Sequence, residues 1–419
     1  MLTNFFSNSK PFHFISINLL LFVGYTLYNF QISNFEHGII ELILSTFKFS
    51  LYIALMLIFG FIIKKNKLTQ INSYALFSFG CFLLMVPILF QDSKPVFSLL
   101  FLLLALRRIL SFNSKKNIQK KILDASLWIG IATLFYFWSL LFFLVLYAAL
   151  IQLATKNYKL FLIPIIGALI VFVFTTVYFL FLENNAYWYL DYKKPVSFDF
   201  SSYKSSKIGF SFFFILSMTG ISIFSKILNF TKTPLREKSK YWIIIFTLIT
   251  GILLVTITSQ KNGSELIFTV VPISILFSNF IETLQRKWIP LLLTSIVFGS
   301  LHFFNPEVDK IGNIAMIYYI GTGFFLGIIT LMDEGMELSL GFHAGTNLTI
   351  ALLVTSDWTV FQTNSILLDL SYPSKGIEVV LPVFIVYPVL LAVMAWKYKW
   401  TDCQGKLFGK ISPLNKDSI

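Results

Sequence analysis

"LDASLWIGIATLFYFWSLLFFLVLYAALIQL", residues 123–153, holds one charged side chain, Asp124, among apolar and aromatic residues. Apolar stretches of roughly 18 or more residues recur along the chain, each about long enough to span hydrocarbon. They are continuous rather than alternating with period two, which speaks for helices and against a β-barrel. The whole chain of 419 residues is 56% hydrophobic and only 13% charged, far from the soluble average. The expectation is an all-α, polytopic membrane protein. About thirteen segments are expected, at 12–30, 39–63, 73–90, 96–110, 126–153, 160–182, 208–228, 241–258, 264–281, 289–304, 314–332, 338–355 and 379–396.

Charge sets an expected topology. The formal charge is +13, but the basic residues gather in short loops: Lys64 to Lys67, Arg107 to Lys121 and Lys226 to Lys240. That is the positive-inside pattern and not a nucleic-acid surface. With Arg286 and Lys287 inside, loops 226–240 and 154–159 also fall inside and 183–207 outside, where Tyr187, Trp188 and Tyr189 suit the headgroup zone. Loop 107–121 should be inside too, so residues 123–153 must cross an even number of times. Two short, tilted or partly interfacial helices with a break near Trp138 and Ser139 satisfy this; one long helix that breaks the charge rule is the alternative. The first apolar run, Pro11 to Phe30, has no small-residue cleavage site and reads as a signal anchor. The Lys397 to Lys410 tail places the C-terminus in the cytoplasm, and the lipid bilayer is the first expected partner. Cys81 and Cys403 form neither a metal-binding nor a disulfide pattern.

Polar groups at membrane depth are costly and direct attention to function. The four histidines are His13, His37, His302 and His343. His302 closes "FGSLH" and is followed by "FFNPE"; His343 opens "HAGTN", with Asn347 one turn later on the same helix face. A neutral imidazole can take a proton from water, and an amide with a second imidazole can stabilise an oxyanion. The plain alternative is that both histidines are interhelical hydrogen-bond partners. Glu334 and Glu337 lie three apart before His343, either lining the same cavity or capping the helix start. Glu265, in "GSELIF", is a headgroup-level carboxylate or a substitute acid.

Phe298-x-x-x-His302 with His343-x-x-x-Asn347 resembles the second and third motifs of the CAAX-protease and bacteriocin-processing family of intramembrane endopeptidases. The resemblance runs through "KWIPLLLTSIVFGSLHFFNPE", "YYIGTGFFLGIITLMDEGMELSLGFHAGTN" and "DWTVFQTNS", so residues 288–419 are expected to form the C-terminal part of such a domain. It implies hydrolysis of peptide bonds in a membrane-associated peptide substrate. His302 would help activate water, and His343 and Asn347 would form the oxyanion site. The residues require no cofactor; a divalent metal such as zinc on His302 and His343 is left open by the resemblance, although three ligands with an open position are not evident.

The family's first motif is a Glu pair followed by Arg. "IETLQR" offers Glu282 and Arg286 in register, with Ile281 where the leading Glu belongs, so Glu282 is the remaining acidic candidate. Measured from a turn near 287–290 at ~1.5 Å per residue, Glu282 and His302 differ in depth by about 12 Å. His302 and His343 differ by about 10 Å on the same ruler, so helices must tilt or break there. Residues 1–287 resemble instead an uncharacterised family of multi-pass bacterial membrane proteins, through "FFSNSKPFHF", "NGSELIFTVVPISI" and "NFIETLQRKW". This implies a bacterial cytoplasmic-membrane protein joined near Trp288 to the tail of a protease. The competing expectation is a non-catalytic fusion or pseudoenzyme that keeps that tail as a scaffold.

Overall fold

The computed structural model describes residues 6, 8–32, 39–114, 116–153, 157–204, 206–229, 234–259, 261–284, 288–302, 305–312, 314–371 and 376–409. His37 and Arg286 lie outside these residues. The chain divides into two compact units, one of Phe6–Glu282 and one that begins at Thr283.

The first unit holds α1 (Pro11–Ile32), α2 (Ile39–Asn66), α3 (Tyr74–Leu84), α4 (Ser93–Leu110), α5 (Ile118–Phe135), α6 (Phe143–Gln152), α7 (Ile163–Glu183), α8 (Trp188–Tyr192), α9 (Ser206–Asn229), α10 (Leu235–Ile257) and α11 (Ile267–Thr283). The second holds α12 (Trp288–Ser300), α13 (Pro306–Ile311), α14 (Ile314–Met332), α15 (Glu337–Leu353), α16 (Tyr387–Lys397) and α17 (Cys403–Phe408). The sole strand pairing among the described residues joins Val354–Thr355 to Leu367–Leu368. The protein is all-α.

Eight of these helical segments are long and apolar enough to cross a membrane. The other five expected segments are helical but short or interrupted. Tyr74–Leu84, Phe137–Gln152 and Ser211–Ile227 form shorter apolar helices, while α12 and α15 have 13 and 17 residues. Thirteen residues rise only about 20 Å as a helix, against ~30 Å of hydrocarbon.

Residues 123–153 do not form one helix. Tyr136 takes an extended conformation and ends α5, Phe137–Phe142 wind as a 3₁₀ turn, and α6 follows. The break is held by polar groups that a continuous helix would leave in lipid: the Ser139 hydroxyl meets Ser98 at 2.6 Å and the Tyr136 hydroxyl meets Thr258 at 3.0 Å. Phe97 and Phe101 of α4 stack on Phe135 and Trp128 of α5. On its other side α5 touches α7, where a Cβ on Gly167 would fall 1.9 Å from the Ser126 hydroxyl. Small residues allow this approach, and without a strong apolar driving force in lipid such packing supplies much of the association energy.

The loop aromatics behave unequally. Tyr187 and Tyr189 are exposed, but Trp188 is 7% exposed, stacks on Phe179 and donates its indole N–H to Thr176 at 3.0 Å. A headgroup role for Trp188 therefore gives way to docking α8 on α7. Arg107 lies over the Phe61 ring and Arg108 pairs with Asp124 at 2.9 Å, so both act as local anchors.

Candidate functional site

Two close helix approaches build the site in the second unit. A Cβ on Gly299 would sit 2.9 Å from the Ile320 backbone nitrogen, and one on Gly323 would sit 3.0 Å from the Phe298 Cβ. Glycine at both positions lets α12 and α14 come together almost backbone to backbone. α12 stops at Ser300, and His302 stands on the turn beyond it; its N–H donates to Gly299 O and its carbonyl accepts from Asn305 N. The break expected from the depth of the two histidines thus lies at the end of α12.

That turn lays the His302 ring on Tyr319 of α14, with centroids 4.4 Å apart and planes 16° from parallel. Phe298 touches both imidazoles, at 4.8 Å from His302 and 5.3 Å from His343. Two histidines from separate helical segments therefore share one aromatic neighbour. The structure brings together His302, His343 and Asn347, all half-buried.

Hydrogen bonding assigns opposite roles to the two rings. His302 Nδ1 lies 2.8 Å from Phe298 O, and a carbonyl can only accept, so Nδ1 carries the hydrogen. Neutral His302 then presents a lone pair at Nε2. Asn347 Nδ2 donates to His343 Nε2 at 3.3 Å, so neutral His343 carries its hydrogen on Nδ1. One ring offers an acceptor and the other a donor, with a second Asn347 N–H beside it.

This donor set does not suit a metal. The ring nitrogen of His343 with a lone pair is already occupied by Asn347, and among the described residues no group of three or more His, Cys, Asp or Glu stands ready to hold an ion. A zinc site needs three protein ligands even when one position stays open. The two cysteines are free.

Glu282 belongs to the first unit, where it accepts from Gln70 N at 3.0 Å, Asn72 Nδ2 at 2.7 Å and Ser278 Oγ at 3.3 Å. It fastens the turn between α2 and α3. Glu265 is fully buried in the same unit and accepts from the Tyr203 hydroxyl and from Gly263 N at 3.0 Å. It is an internal tie rather than a headgroup carboxylate. Glu334 and Glu337 do not share a helix face: Glu334 sits in a left-handed turn and pairs with Lys406 at 3.0 Å, while Glu337 opens α15, where negative charge suits the helix start. His13, bonded to Asn8 O at 2.8 Å and near Ser73, is structural.

One carboxylate was missed in the sequence. Glu307 enters in the first turn of α13 after Asn305 and Pro306, an arrangement that Asn-Pro before an acid announces. Its Oε1 accepts from Val360 N at 2.7 Å. Its Oε2 is buried and takes no hydrogen bond among the described residues. Glu307 neighbours the Tyr319 hydroxyl, which also receives the Asn305 amide at 3.3 Å.

No solved structure matches the chain. The chain is similar to an uncharacterized protein of Bacillus subtilis (strain 168), YyaK, 39% identical over 75 residues, which is 17% of this chain. The match spans a quarter of that relative's length. The sequence model described as "Family of unknown function (DUF6427)" matches residues 1–314, beyond the expected join at Trp288 and past His302. The chain belongs to this family of unknown function.

Proposed function

We propose that the segment from Trp288 onward is the C-terminal part of an intramembrane endopeptidase of the CAAX-protease and bacteriocin-processing type, acting on peptide bonds of membrane-associated substrates. One observation carries the reading. His302 and His343 meet at Phe298 with complementary open ring positions, an acceptor at His302 Nε2 and a donor at His343 Nδ1. His302 Nε2 accepts a hydrogen bond from the attacking water and helps to activate it. His343 and Asn347 donate to the oxygen that becomes negative, where low surrounding polarity strengthens such bonds. The basic loops and tail support a cytoplasmic C-terminus in a bacterial cytoplasmic membrane.

The test is cleavage of single-span peptides by the full chain in lipid vesicles. Loss in both His302→Ala and His343→Ala, with the fold intact, is the expected result. Equal cleavage by wild type and both variants would sink it. The second reading, a non-catalytic membrane protein keeping this segment as a scaffold, is favoured by Ile281 in place of an acid and by the three hydrogen bonds that hold Glu282 Oε1 in a structural tie. Under it the same substitutions change stability alone.

A further inference from the structure

We propose that Glu307 is the catalytic carboxylate of this site, the position that Glu282 does not fill; the inference rests on the endopeptidase reading. Three observations lead to it. The Oε2 of Glu307 is buried and without a partner among the described residues, although its twin Oε1 is firmly held by Val360 N. Buried carboxylate oxygens are costly to leave unpaired, so an acceptor kept open is suited to a water or a substrate hydrogen. Second, Glu307 lies at the hydroxyl end of Tyr319 while His302 lies on the face of the same ring. Imidazole and carboxylate thus both meet the one phenol ring. Third, Glu307 follows His302 by a single turn, at the start of α13 in the same unit, whereas Glu282 belongs to the other unit, with Oε1 held by Gln70 and Asn72.

In this arrangement a water donates one hydrogen to His302 Nε2 and the other to Glu307 Oε2. Its oxygen bonds to the peptide carbonyl carbon as one proton passes to Oε2, and the carbonyl π pair moves onto oxygen. His343 Nδ1–H and Asn347 Nδ2–H receive that oxyanion. When the carbonyl re-forms, the C–N bond breaks with its pair going to nitrogen, and the proton on Glu307 follows. One water is consumed; a carboxylic acid and an amine are released.

The experiment uses the full chain in lipid vesicles with a quenched-fluorescent single-span peptide. Glu307→Gln keeps an acceptor for Val360 N and removes the base. It should lower kcat/KM about 100-fold or more, the least that a positioned base contributes, with KM unchanged. Glu307→Asp keeps a carboxylate and should retain part of the rate, which separates chemistry from any folding defect in the glutamine variant. Cleavage by Glu307→Gln within about threefold of wild type, or equal losses in Gln and Asp, overturns the assignment while the endopeptidase reading stands. Loss in Glu282→Gln with Glu307→Gln active does the same and returns the role to Glu282. Wild type no better than His302→Ala removes the reading and this inference together.

Discussion

The imidazole of His302 lies flat on the phenol ring of Tyr319, 4.4 Å between centroids. The stack fixes the direction of the one ring nitrogen left open at His302, because Nδ1 is held by Phe298 O. Orientation of this acceptor thus depends on a side chain of another helix.

Removing that support should be measurable. Tyr319→Phe keeps the stack and loses the Asn305 hydrogen bond, for a cost of about 1 kcal/mol. Tyr319→Ala also loses the ring pair, worth ~0.5–1.5 kcal/mol beyond burial. Thermal unfolding in detergent should rank wild type, Phe and Ala in that order. An alanine variant as stable as wild type would show that the stack is incidental.

The approach of α12 to α14 gives a steric prediction with an internal control. Gly299→Ala places a Cβ against the Ile320 backbone, which cannot rotate away. It should cost roughly 1–3 kcal/mol, as overpacking does. Gly341 of α15 has nothing within 4 Å of its Cβ direction, so Gly341→Ala should be neutral or slightly stabilising. Equal effects at the two positions would contradict the packing described for α12.

Lys261, 5% exposed, donates to Ser197 O and Thr258 O, both at 2.6 Å, and ties the 193–200 segment to the start of the α11 region. Lys261→Ala leaves two buried carbonyls without their donor and takes a positive charge from the surroundings of Glu265. A loss of about 3 kcal/mol is expected, in the range for breaking a buried charged interaction. Burial holds the Lys261 ammonium below the ordinary lysine pKa. The folded state then gives up its proton before the unfolded chain does. Unfolding free energy should therefore gain a rising contribution with pH across the window just below the ordinary lysine value, and the slope should vanish in Lys261→Met. A slope unchanged by that substitution assigns the proton to another group.

Metal removal should leave the proposed cleavage intact, because the His343 lone pair is committed to Asn347. Dialysis against a strong chelator is expected to change the rate by less than about twofold, whereas loss of a catalytic zinc would abolish it. A chelator-sensitive rate restored by zinc would overturn the hydrogen assignment at His343.

Length and continuity of the apolar runs were enough to give the helical class and eight helices long and apolar enough to cross a membrane, since the cost of exposing backbone groups to lipid leaves few alternatives. The even crossing demanded by the basic loops agrees with the break at Tyr136, because charge and hydropathy are local properties that chain order preserves. Pairing of His302 with His343 was implied by the family resemblance, and the shared Phe298 ring supplies its physical form. The acids could not be read that way. Glu282 matched a spacing, yet its Oε1 is held by Gln70 and Asn72, more than 200 residues earlier in the chain. Glu307 carries no motif, yet the fold buries one of its oxygens beside Tyr319. Which carboxylate oxygen is held depends on hydrogen bonds to distant residues, and only the tertiary structure decides those.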